Sequence, residues 1–348
     1  MNADNKPLQL GLQGRLPRLR GRRHRDNLFS LLDHRGRAIQ AKNQAVQLSH
    51  HVLAITDPDS SLDFYTSTVG MTLVASRVCG GRSHYFLGFV ASDEADNPVP
   101  PYPACLLELV FDPACREIDN QGRDGVLPGY WKIALSVADL ELARQSLLRR
   151  GVRVSEAVQV PDVAYLCHFD DPDGYCIELI QHRMRTNHQA EAPDDRYALA
   201  TPTCFSLITV RVRDPEQSIE FYRRELGLRL VSRQQLAERG FTLYFLSADR
   251  ETPPSDDIDD IDMREWLWQR PYALLELQHI WGTEQRAEFA YRSDAATGFE
   301  KTRWLVEELS GEASVDACLS CAAIERVDPD GYRLQLLRAT RGRSVDDV

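Results

Sequence analysis

Two short stretches decide the fold: DPDSSLDFY at residues 57–65 and DPDGY at residues 171–175. Each stretch has a second copy downstream, DPEQSIEFY at residues 214–222 and DPDGY at residues 328–332. Both pairs are separated by the same 157 positions, since 214 − 57 and 328 − 171 are equal. A fixed spacing between two separate motifs indicates that the chain contains a duplicated unit.

The duplication and the length of 348 residues both predict two domains. We place the first domain at residues 46–184 and the second at 203–340, with a linker over 185–202 and a tail at 341–348. Residues 1–45 carry ten Lys and Arg side chains, and we expect a disordered or non-native tail there. A targeting segment and a nucleic-acid-binding arm are the alternatives for this basic stretch.

Composition and charge exclude several classes of protein. The net charge of −11 argues against general affinity for nucleic acid, whose phosphates need a basic surface. No apolar run approaches the roughly 18 residues that a membrane-spanning helix needs. The eight cysteines are scattered through apolar stretches and no secretory signal precedes them, which predicts reduced thiols in a cytoplasmic protein. We expect a small molecule as the partner, and no nucleic acid or membrane.

Hydrophobic alternation and turn signals divide each copy again. The pattern strand–helix–strand–strand–strand occurs twice per copy, which predicts an α+β fold with four βαβββ modules. The predicted elements of the first copy are a strand at 48–56, a helix from Asp57 to near Gly70, strands at 72–78, 84–90 and 104–111, then a strand at 131–137, a helix at 139–150 and strands at 152–154, 164–169 and 175–181.

The second copy repeats this pattern through a strand at 205–212, a helix at 215–226 and strands at 228–233, 241–247 and 272–280. The fourth module then departs from it. The chain passes from Thr297 almost directly into a predicted helix over residues 301–309. We therefore expect a degraded fourth module that either lacks its opening strand or has a degraded one, with the loss of half a site as the consequence.

Three acidic residues lie inside apolar strands: Glu108 and Glu276, each within the sequence LLEL, and Glu178 within CIELI. An unpaired buried carboxylate is costly, so an acid in such a strand needs a partner or a function. The three acids recur at corresponding ends of the modules, which predicts that they line a polar cavity.

These motifs resemble those of glyoxalase I (lactoylglutathione lyase) in the vicinal oxygen chelate superfamily. The resemblance rests on His50 followed by the 57–65 motif, on the LEL strand, and on DPDGY followed by x-IEL; LELQHIWGTE at 275–284 is close to a glyoxalase I signature. It covers about residues 48–183 and 204–338. It implies the vicinal oxygen chelate fold and a lyase or isomerase that converts the hemithioacetal of a thiol and a 2-oxoaldehyde into a thioester.

The resemblance also implies a divalent ion (Zn²⁺, Ni²⁺, Fe²⁺ or Mn²⁺) held by one residue from each of four strands. In the first copy these positions carry His50, Glu108, Lys132 and Glu178, of which all but the lysine are metal ligands. The ion would stabilise an enediolate, and Glu178 or Glu108 would carry the proton. The corresponding positions of the second copy carry Leu207, Glu276, the missing strand and Gln335. We therefore expect a single competent site, in the first domain.

Lys132 leaves two interpretations open. The lysine swings aside or binds in its neutral form, with a pKa lowered by the metal. Alternatively its ammonium replaces the ion and pairs with Glu108 and Glu178 in a metal-free polar core.

The pairing of modules is also open in this superfamily. We favour pairing within each copy, because that arrangement gathers most of the metal-capable residues into one cavity. The alternative is exchange between copies, which brings Glu276 and Arg211 to Lys132 and Glu178. Exchange leaves His50 and Glu108 facing Gln335.

Other residues bear on the substrate. In the family an arginine of the opening strand holds the carboxylate of glutathione, and this chain has Ala54 there in the first copy and Arg211 in the second. The thiol is thus glutathione or another thiol. His168 is either a proton relay in the cavity or a strand histidine with a local hydrogen bond. A ring-cleaving dioxygenase and a non-catalytic binding protein of the bleomycin-resistance type are the competing functions, in a monomer or a homodimer.

Overall fold

The two copies of the DP motif each begin a helix, as predicted. Asp57 and Asp214 cap these helices, because each carboxylate accepts hydrogen bonds from the backbone N–H groups of the two residues that follow the proline. The helices end at Gly70 (φ 90°) and Gly227 (φ 68°), in the left-handed conformation that glycine adopts without strain. The first helix finishes in a π-helical turn over Phe64–Val69, whereas the second is regular throughout.

A computed structural model describes residues 46–89, 105–114, 117–120, 127–248, 251–306, 314–316, 318–319 and 321–338. The first copy contains β1 (Gln47–Ile55), α1 (Pro58–Asp63), β2 (Thr72–Cys79), β3 (Arg82–Gly88), β4 (Leu106–Phe111), β5 (Tyr130–Val137), α2 (Leu140–Arg149), β6 (Val158–Val160), β7 (Ala164–Asp170) and β8 (Cys176–Gln181). The second copy contains β9 (Thr203–Arg211), α3 (Pro215–Leu226), β10 (Arg229–Leu236), β11 (Phe241–Ser247), α4 (Asp262–Trp268), β12 (Leu274–Ile280), β13 (Phe299–Val306), β14 (Ser314–Asp316), β15 (Cys321–Val327) and β16 (Arg333–Arg338).

The two duplicated motifs contact each other within each copy. The hydroxyl of Tyr65 donates to Asp171 Oδ2 at 2.8 Å, and Tyr222 donates to Asp328 Oδ2 at the same distance. Burial raises the pKa of both aspartates to about 7, in spite of these hydrogen bonds. The constant spacing of the motifs therefore reflects a buried tyrosine–aspartate contact that joins the first helix of a copy to its last turn.

The sheets, however, pair modules from different copies. One eight-stranded sheet, the first sheet, has the order β14-β15-β16-β13-β1-β4-β3-β2; the other, the second sheet, has the order β10-β11-β12-β9-β5-β8-β7-β6. The first sheet joins modules one and four, and the second joins modules two and three. The expectation of pairing within a copy is wrong, and the exchanged arrangement is the one observed.

The exchange follows from how the opening strands meet. β1 lies antiparallel to β13, and β5 lies antiparallel to β9. All nine residues of β1 are buried, so this strand needs a neighbour on each edge and sheet packing on its faces. Alternation along a strand indicates which side chains are buried but does not identify the strand that supplies the neighbouring hydrogen bonds.

The fourth module has its opening strand, so the prediction that it is missing was wrong. Phe299–Val306 is the strand β13, which pairs with β1 and runs parallel to β16. The eight residues of this strand include 301–306, the start of the stretch predicted as a helix at 301–309. Seven residues separate β13 from β14 (314 − 306 − 1), whereas 20 separate β5 from β6 (158 − 137 − 1). The shortfall in length thus lies after the opening strand, in residues 307–313, which fall outside the described part of the chain.

Smaller differences concern the edge of the second sheet and the ends of the chain. The edge strand β6 is Val158–Val160, whereas the predicted strand at 152–154 contributes only an isolated bridge from Val154 to Phe169. The predicted tails at 1–45 and 341–348 lie outside the described residues. Among the helices that the structure describes, none has the length and apolar character that crossing a bilayer requires.

Candidate active site

Strand register defines four equivalent positions, one per module. Glu108 lies beside Val52, Glu178 beside Ala134, Glu276 beside Thr209, and Gln335 beside Arg303. These four partners lie on the opening strands of the modules. The residue two positions before each partner is the one that corresponds to His50 of the first module. Those positions hold His50, Lys132, Leu207 and Lys301. Each sheet therefore brings together two opening-strand residues and two residues from terminal strands.

In the second sheet the residues meet at a buried lysine. Lys132 Nζ donates to Glu178 Oε1 at 2.8 Å and to Glu276 Oε2 at 3.2 Å. All three side chains are almost fully enclosed, with exposed fractions of 2% for Lys132, 5% for Glu178 and 1% for Glu276. We call Lys132, Glu178, Glu276, Thr209 and His168 the Lys132 cluster.

The two carboxylates of the Lys132 cluster differ in their surroundings. Glu178 Oε2 lies 3.0 Å from His168 Nε2, so both of its oxygens have a basic neighbour. Glu276 Oε2 accepts from Lys132 and from the Thr209 hydroxyl, the latter at 2.7 Å. Glu276 Oε1 has no hydrogen-bond partner within the described residues. The second glutamate is therefore the one with an oxygen available to a ligand.

Electrostatics separate the two acids further. Burial raises the pKa of Glu178, but Lys132 and His168 outweigh burial and lower it to about 2. Burial also raises the pKa of Glu276, and because the attraction of Lys132 is opposed by Glu178, this pKa stays above its ordinary value. Burial lowers the pKa of Lys132, but the two glutamates outweigh this and raise it, which keeps the ammonium charged. A proton that enters the cluster therefore binds Glu276 before Glu178.

A cavity of about 250 Å³ adjoins the cluster. Trp131 and Cys176 line it; the Trp131 ring centroid lies 4.8 Å from Lys132 Nζ, and Cys176 is the strand partner of Lys132. Arg211 lines the same cavity, stacked 5.4 Å from the Trp131 ring. Its guanidinium donates to Gln278 Oε1 at 3.0 Å and to the Pro128 carbonyl at 2.7 Å, which fixes its position at the wall.

The first sheet holds a second polar cluster, centred on Arg303. The guanidinium makes two contacts with Glu108, from Nε to Oε2 at 2.8 Å and from Nη2 to Oε1 at 3.0 Å. It also donates to Asp316 Oδ2 at 2.9 Å and to Gln335 Oε1. We call Arg303, Glu108, Gln335, Asp316 and His84 the Arg303 cluster. Burial raises the pKa of Glu108, but the hydrogen bond from His84 and the charge of Arg303 outweigh it, and the pKa is lowered.

His50 and Lys301 occupy the opening-strand positions of this first sheet. His50 Nδ1 lies 3.0 Å from Ser49 Oγ, while its Nε2 has no hydrogen-bond partner in the described part of the chain. Burial lowers the pKa of His50 to about 4. Lys301 Nζ donates instead to Glu325 at 3.1 Å.

The structure separates residues that the sequence was expected to unite. His50 and Glu108 lie in the first sheet, whereas Glu178 lies in the second. The proposed ligand set of His50, Glu108 and Glu178 is therefore not assembled, because its members belong to modules that do not pair. Lys132 pairs with Glu178 as anticipated, but its second partner is Glu276 and not Glu108. The catalytic roles assigned to Glu108 and Glu178 stay predictions.

Sequence reasoning missed Arg303, Lys301 and His84. Arg303 and Lys301 were placed in a helix, and their alternation with the buried Thr302 and Trp304 is not a clear strand pattern. A signal was nevertheless present. The offset between the copies returns to 157 before DPDGY, which shows that the sheet is still closed by a fourth module.

A divalent ion does not fit the donor set at the Lys132 cluster. Two carboxylates and the imidazole of His168 are present, but among the described residues the ligand atoms of Glu178, Glu276 and His168 do not all lie within 4.8 Å of one another. Leu207 offers no donor, and Lys132 places a positive charge where a further ligand is needed. Transition-metal sites in proteins take three or four ligands that usually include imidazole or thiolate. In the first sheet Arg303 engages Glu108 and Gln335 in the same way.

One group of described residues does have the composition of a metal site. The ligand atoms of His84, Glu108 and Cys318 lie within 4.8 Å of one another, and all three side chains are buried. His84 Nδ1 is 2.8 Å from Glu108 Oε1. A nitrogen, an oxygen and a sulfur ligand suit Zn²⁺. This triad lies in the first sheet, apart from the Lys132 cluster.

Comparison with known proteins identifies the family. Residues 47–179 match the model of the Glyoxalase/Bleomycin resistance protein/Dioxygenase superfamily. The lactoylglutathione lyase of Pseudomonas putida is 33% identical over 154 residues, which cover 39% of this chain and 85% of that protein. The chain belongs to the glyoxalase superfamily.

Other members of the glyoxalase superfamily extend the similarity over most of the chain. Glyoxalase I of Saccharomyces cerevisiae is 29% identical over 260 residues, covering 71% of this chain and 73% of the yeast protein. The crystal structure of glyoxalase I from Zea mays has a TM-score of 0.59 at 19% identity and covers 85% of this chain and 93% of that chain. The maize structure confirms the fold of tandem βαβββ modules. With relatives that are carbon–sulfur lyases, the chain is a glyoxalase I-like member of the superfamily.

Proposed function

We propose that this chain is a glyoxalase I-type lyase whose working site is the Lys132 cluster and its adjoining cavity. The observation that carries the proposal is the convergence of Glu178 and Glu276 from different copies on one buried cation. Two buried carboxylates with opposed pKa shifts are typical of sites that move protons. The competent site then lies between the copies, in the second sheet, and not within the first domain.

The reaction requires the transfer of a proton between adjacent carbons. A hemithioacetal loses the proton on the carbon that bears sulfur and forms an enediolate; the proton returns to the neighbouring carbon, which leaves a thioester and a new hydroxyl. No oxidant or reductant is consumed. We assign the proton transfer to Glu276, because its pKa is raised and its Oε1 has no hydrogen-bond partner among the described residues. Glu178, with a pKa of about 2, is a weak base.

The cavity favours, as substrate, the adduct of a thiol compound that carries carboxylates. Arg211 presents a fixed guanidinium at the wall, and the Trp131 ring beside it offers a flat apolar surface. Relatives named lactoylglutathione lyase act on a glutathione thioester, and a glutathione adduct carries carboxylates that an arginine binds. Glutathione is therefore the first thiol to test.

The test is hemithioacetal turnover by the full chain, with methylglyoxal and glutathione as substrates and thioester formation as the readout. We expect Glu276→Gln to lower kcat by 10²–10⁴-fold, the range typical of a lost general base. Glu325→Gln is the matched control, because Glu325 is a strand glutamate that pairs with a lysine, Lys301, outside the Lys132 cluster. Equal rates for the wild type and Glu276→Gln would refute the assignment.

A binding function without catalysis is the second candidate. The burial of the Lys132 cluster favours this binding function, since Lys132 and Glu276 are at most 2% exposed and already paired with each other. This alternative predicts that a thioether of glutathione binds, with loss of affinity in Arg211→Met, while no variant changes the background rate of thioester formation. Calorimetric titration of the thioether, run beside the turnover assay, separates the two functions.

The cellular setting is part of the same proposal. We place the protein in the cytoplasm, on the ground that its cysteines are scattered through apolar stretches, as is usual for reduced thiols. Within this compartment glutathione is the expected thiol partner, and a monomer or homodimer stays the expectation for the assembly.

A further inference from the structure

We infer that the ammonium of Lys132 takes the place of a divalent cation in the buried Lys132 cluster of the second sheet, so that this site works without a metal. The catalytic meaning of this inference rests on the proposed function, but its test measures metal binding and not turnover.

The first support is position. Lys132 stands at the opening-strand position of module two, where the family places a metal ligand, and its side chain reaches the carboxylates of both terminal strands. The distances from Nζ, 2.8 Å to Glu178 and 3.2 Å to Glu276, are those of direct ion pairs. One positive charge therefore bridges two strands that come from different copies of the repeat.

The second support is the donor set. Leu207, the other opening-strand residue of the second sheet at this position, has no ligand atom. With the lysine in place, Glu178 Oε1 and Glu276 Oε2 already accept hydrogen bonds from Lys132, and Glu276 Oε2 also accepts from Thr209. Glu178 Oε2 lies 3.0 Å from His168 Nε2, so the ion would find only Glu276 Oε1 without a partner among the described residues. A metal that entered would have to release a buried ammonium from both partners, and an unpaired buried charge is strongly unfavourable.

The third support comes from the other sheet, where an independent cluster repeats the arrangement. Arg303 comes from the opening strand of module four and contacts Glu108 and Gln335, the terminal-strand residues of the first sheet. The two cations lie at different sequence positions of their strands, since Arg303 corresponds in register to Ala134 and not to Lys132. Both buried clusters thus contain a cation supplied by the chain, from a different strand position in each sheet.

An ammonium retains part of what a metal offers to a substrate. It has three N–H donors, of which two are directed at Glu178 and Glu276. The third is available for an oxygen of a bound adduct, where a fixed positive charge favours the negative charge that develops on proton removal. Turnover at this site is then insensitive to chelators.

The experiment measures metal content in full-length protein. The Cys318→Ser variant serves as the background, because it removes the sulfur ligand of the separate triad with His84 and Glu108. Each protein is incubated with Zn²⁺, Ni²⁺ or Mn²⁺, dialysed, and assayed by elemental analysis, and Co²⁺ spectra report the ligand geometry. The variants in this background are Lys132→His, which supplies an imidazole at the opening-strand position, and Lys132→Arg, which keeps the cation and is the matched control.

We expect less than about a tenth of an equivalent of metal in Cys318→Ser and in its Lys132→Arg form, and near one equivalent in its Lys132→His form. Metal bound by Cys318→Ser and lost on adding Glu276→Gln would overturn the inference, whatever the folding of the lysine variants. A folded Lys132→His protein, judged by circular dichroism, that binds no metal would also overturn it. Absence of turnover with the expected metal contents would instead refute the proposed function and leave this inference standing.

Discussion

His51 makes a quantitative prediction about stability against pH. Its ring lies in the seam between the two sheets, with ring centroids 5.3 Å from Phe299 of the first sheet and 5.2 Å from Tyr130 of the second. The side chain is fully buried, and neither ring nitrogen has a hydrogen-bond partner within the described residues. Burial lowers the pKa of His51 from 6.5 to about 3, so the folded protein holds the ring neutral.

The sign and size follow from linkage. A base whose folded pKa is lowered contributes no penalty above its unfolded pKa of 6.5, and folding is weakened as the pH falls from 6.5 toward 3. Each pH unit in that window is worth about 1.36 kcal/mol. Between pH 7 and pH 5 the protonation of His51 in the unfolded chain should therefore lower the free energy of unfolding by about 2 kcal/mol.

The assay is urea denaturation of the wild type and His51→Phe at pH 7, 6 and 5. Asp171 and Asp328, whose pKa of about 7 is raised by burial, act in the opposite direction, and their effect cancels in the difference between the two proteins. We expect this difference to favour the variant by about 2 kcal/mol more at pH 5 than at pH 7. Any change in packing caused by the phenylalanine is independent of pH. A difference that stays constant within about 0.5 kcal/mol would show that the ring has a partner or reaches water, and would refute the reasoning.

Three further predictions concern the buried polar contacts. Lys132→Gln leaves two buried carboxylates without their cation and should lower the free energy of unfolding by about 3–5 kcal/mol, with partial recovery when Glu276→Gln is added. Urea midpoints at pH 7 measure both effects, and an unchanged midpoint would contradict the burial of the ion pair between Lys132 and Glu276. Tyr222→Phe removes the donor to Asp328 and should cost about 1–3 kcal/mol, as read from the same titration, whereas a neutral result would mean that water replaces the hydroxyl. The acid limb of the pH profile of kcat/KM should lie above the ordinary glutamate pKa of 4.5. It should move to higher pH in Lys132→Gln, because Lys132 lowers the pKa of Glu276. An acid limb that does not move would exclude Glu276 as the base.

Much of the fold is local and was therefore accessible from the sequence. The helix starts follow from Asp57 and Asp214, whose carboxylates cap the backbone two residues away, and the helix ends follow from glycines with positive φ. The presence of acids in apolar strands predicted a polar cavity; Glu178 and Glu276 instead share a buried polar cluster around Lys132, beside a cavity that neither of them lines. The prediction was wrong for residues 299–306, because the polar residues Lys301 and Arg303 do not give the pattern of a buried strand. Hydrogen bonds to a neighbouring strand on each side stabilise the strand there.

The sequence by itself determined the duplication, the module pattern, the caps and the set of polar residues that need partners, since each depends on neighbours a few positions away or on a repeat along the chain. Only the tertiary structure decided which modules share a sheet. Hydrogen bonds between strand edges are much alike whichever copy supplies the partner, so pairing of β1 with β13 and of β5 with β9 is set by packing of the whole molecule. That choice separates Glu178 from His50 and Glu108, and it places Lys132 between two acids that lie 98 positions apart in the sequence (276 − 178).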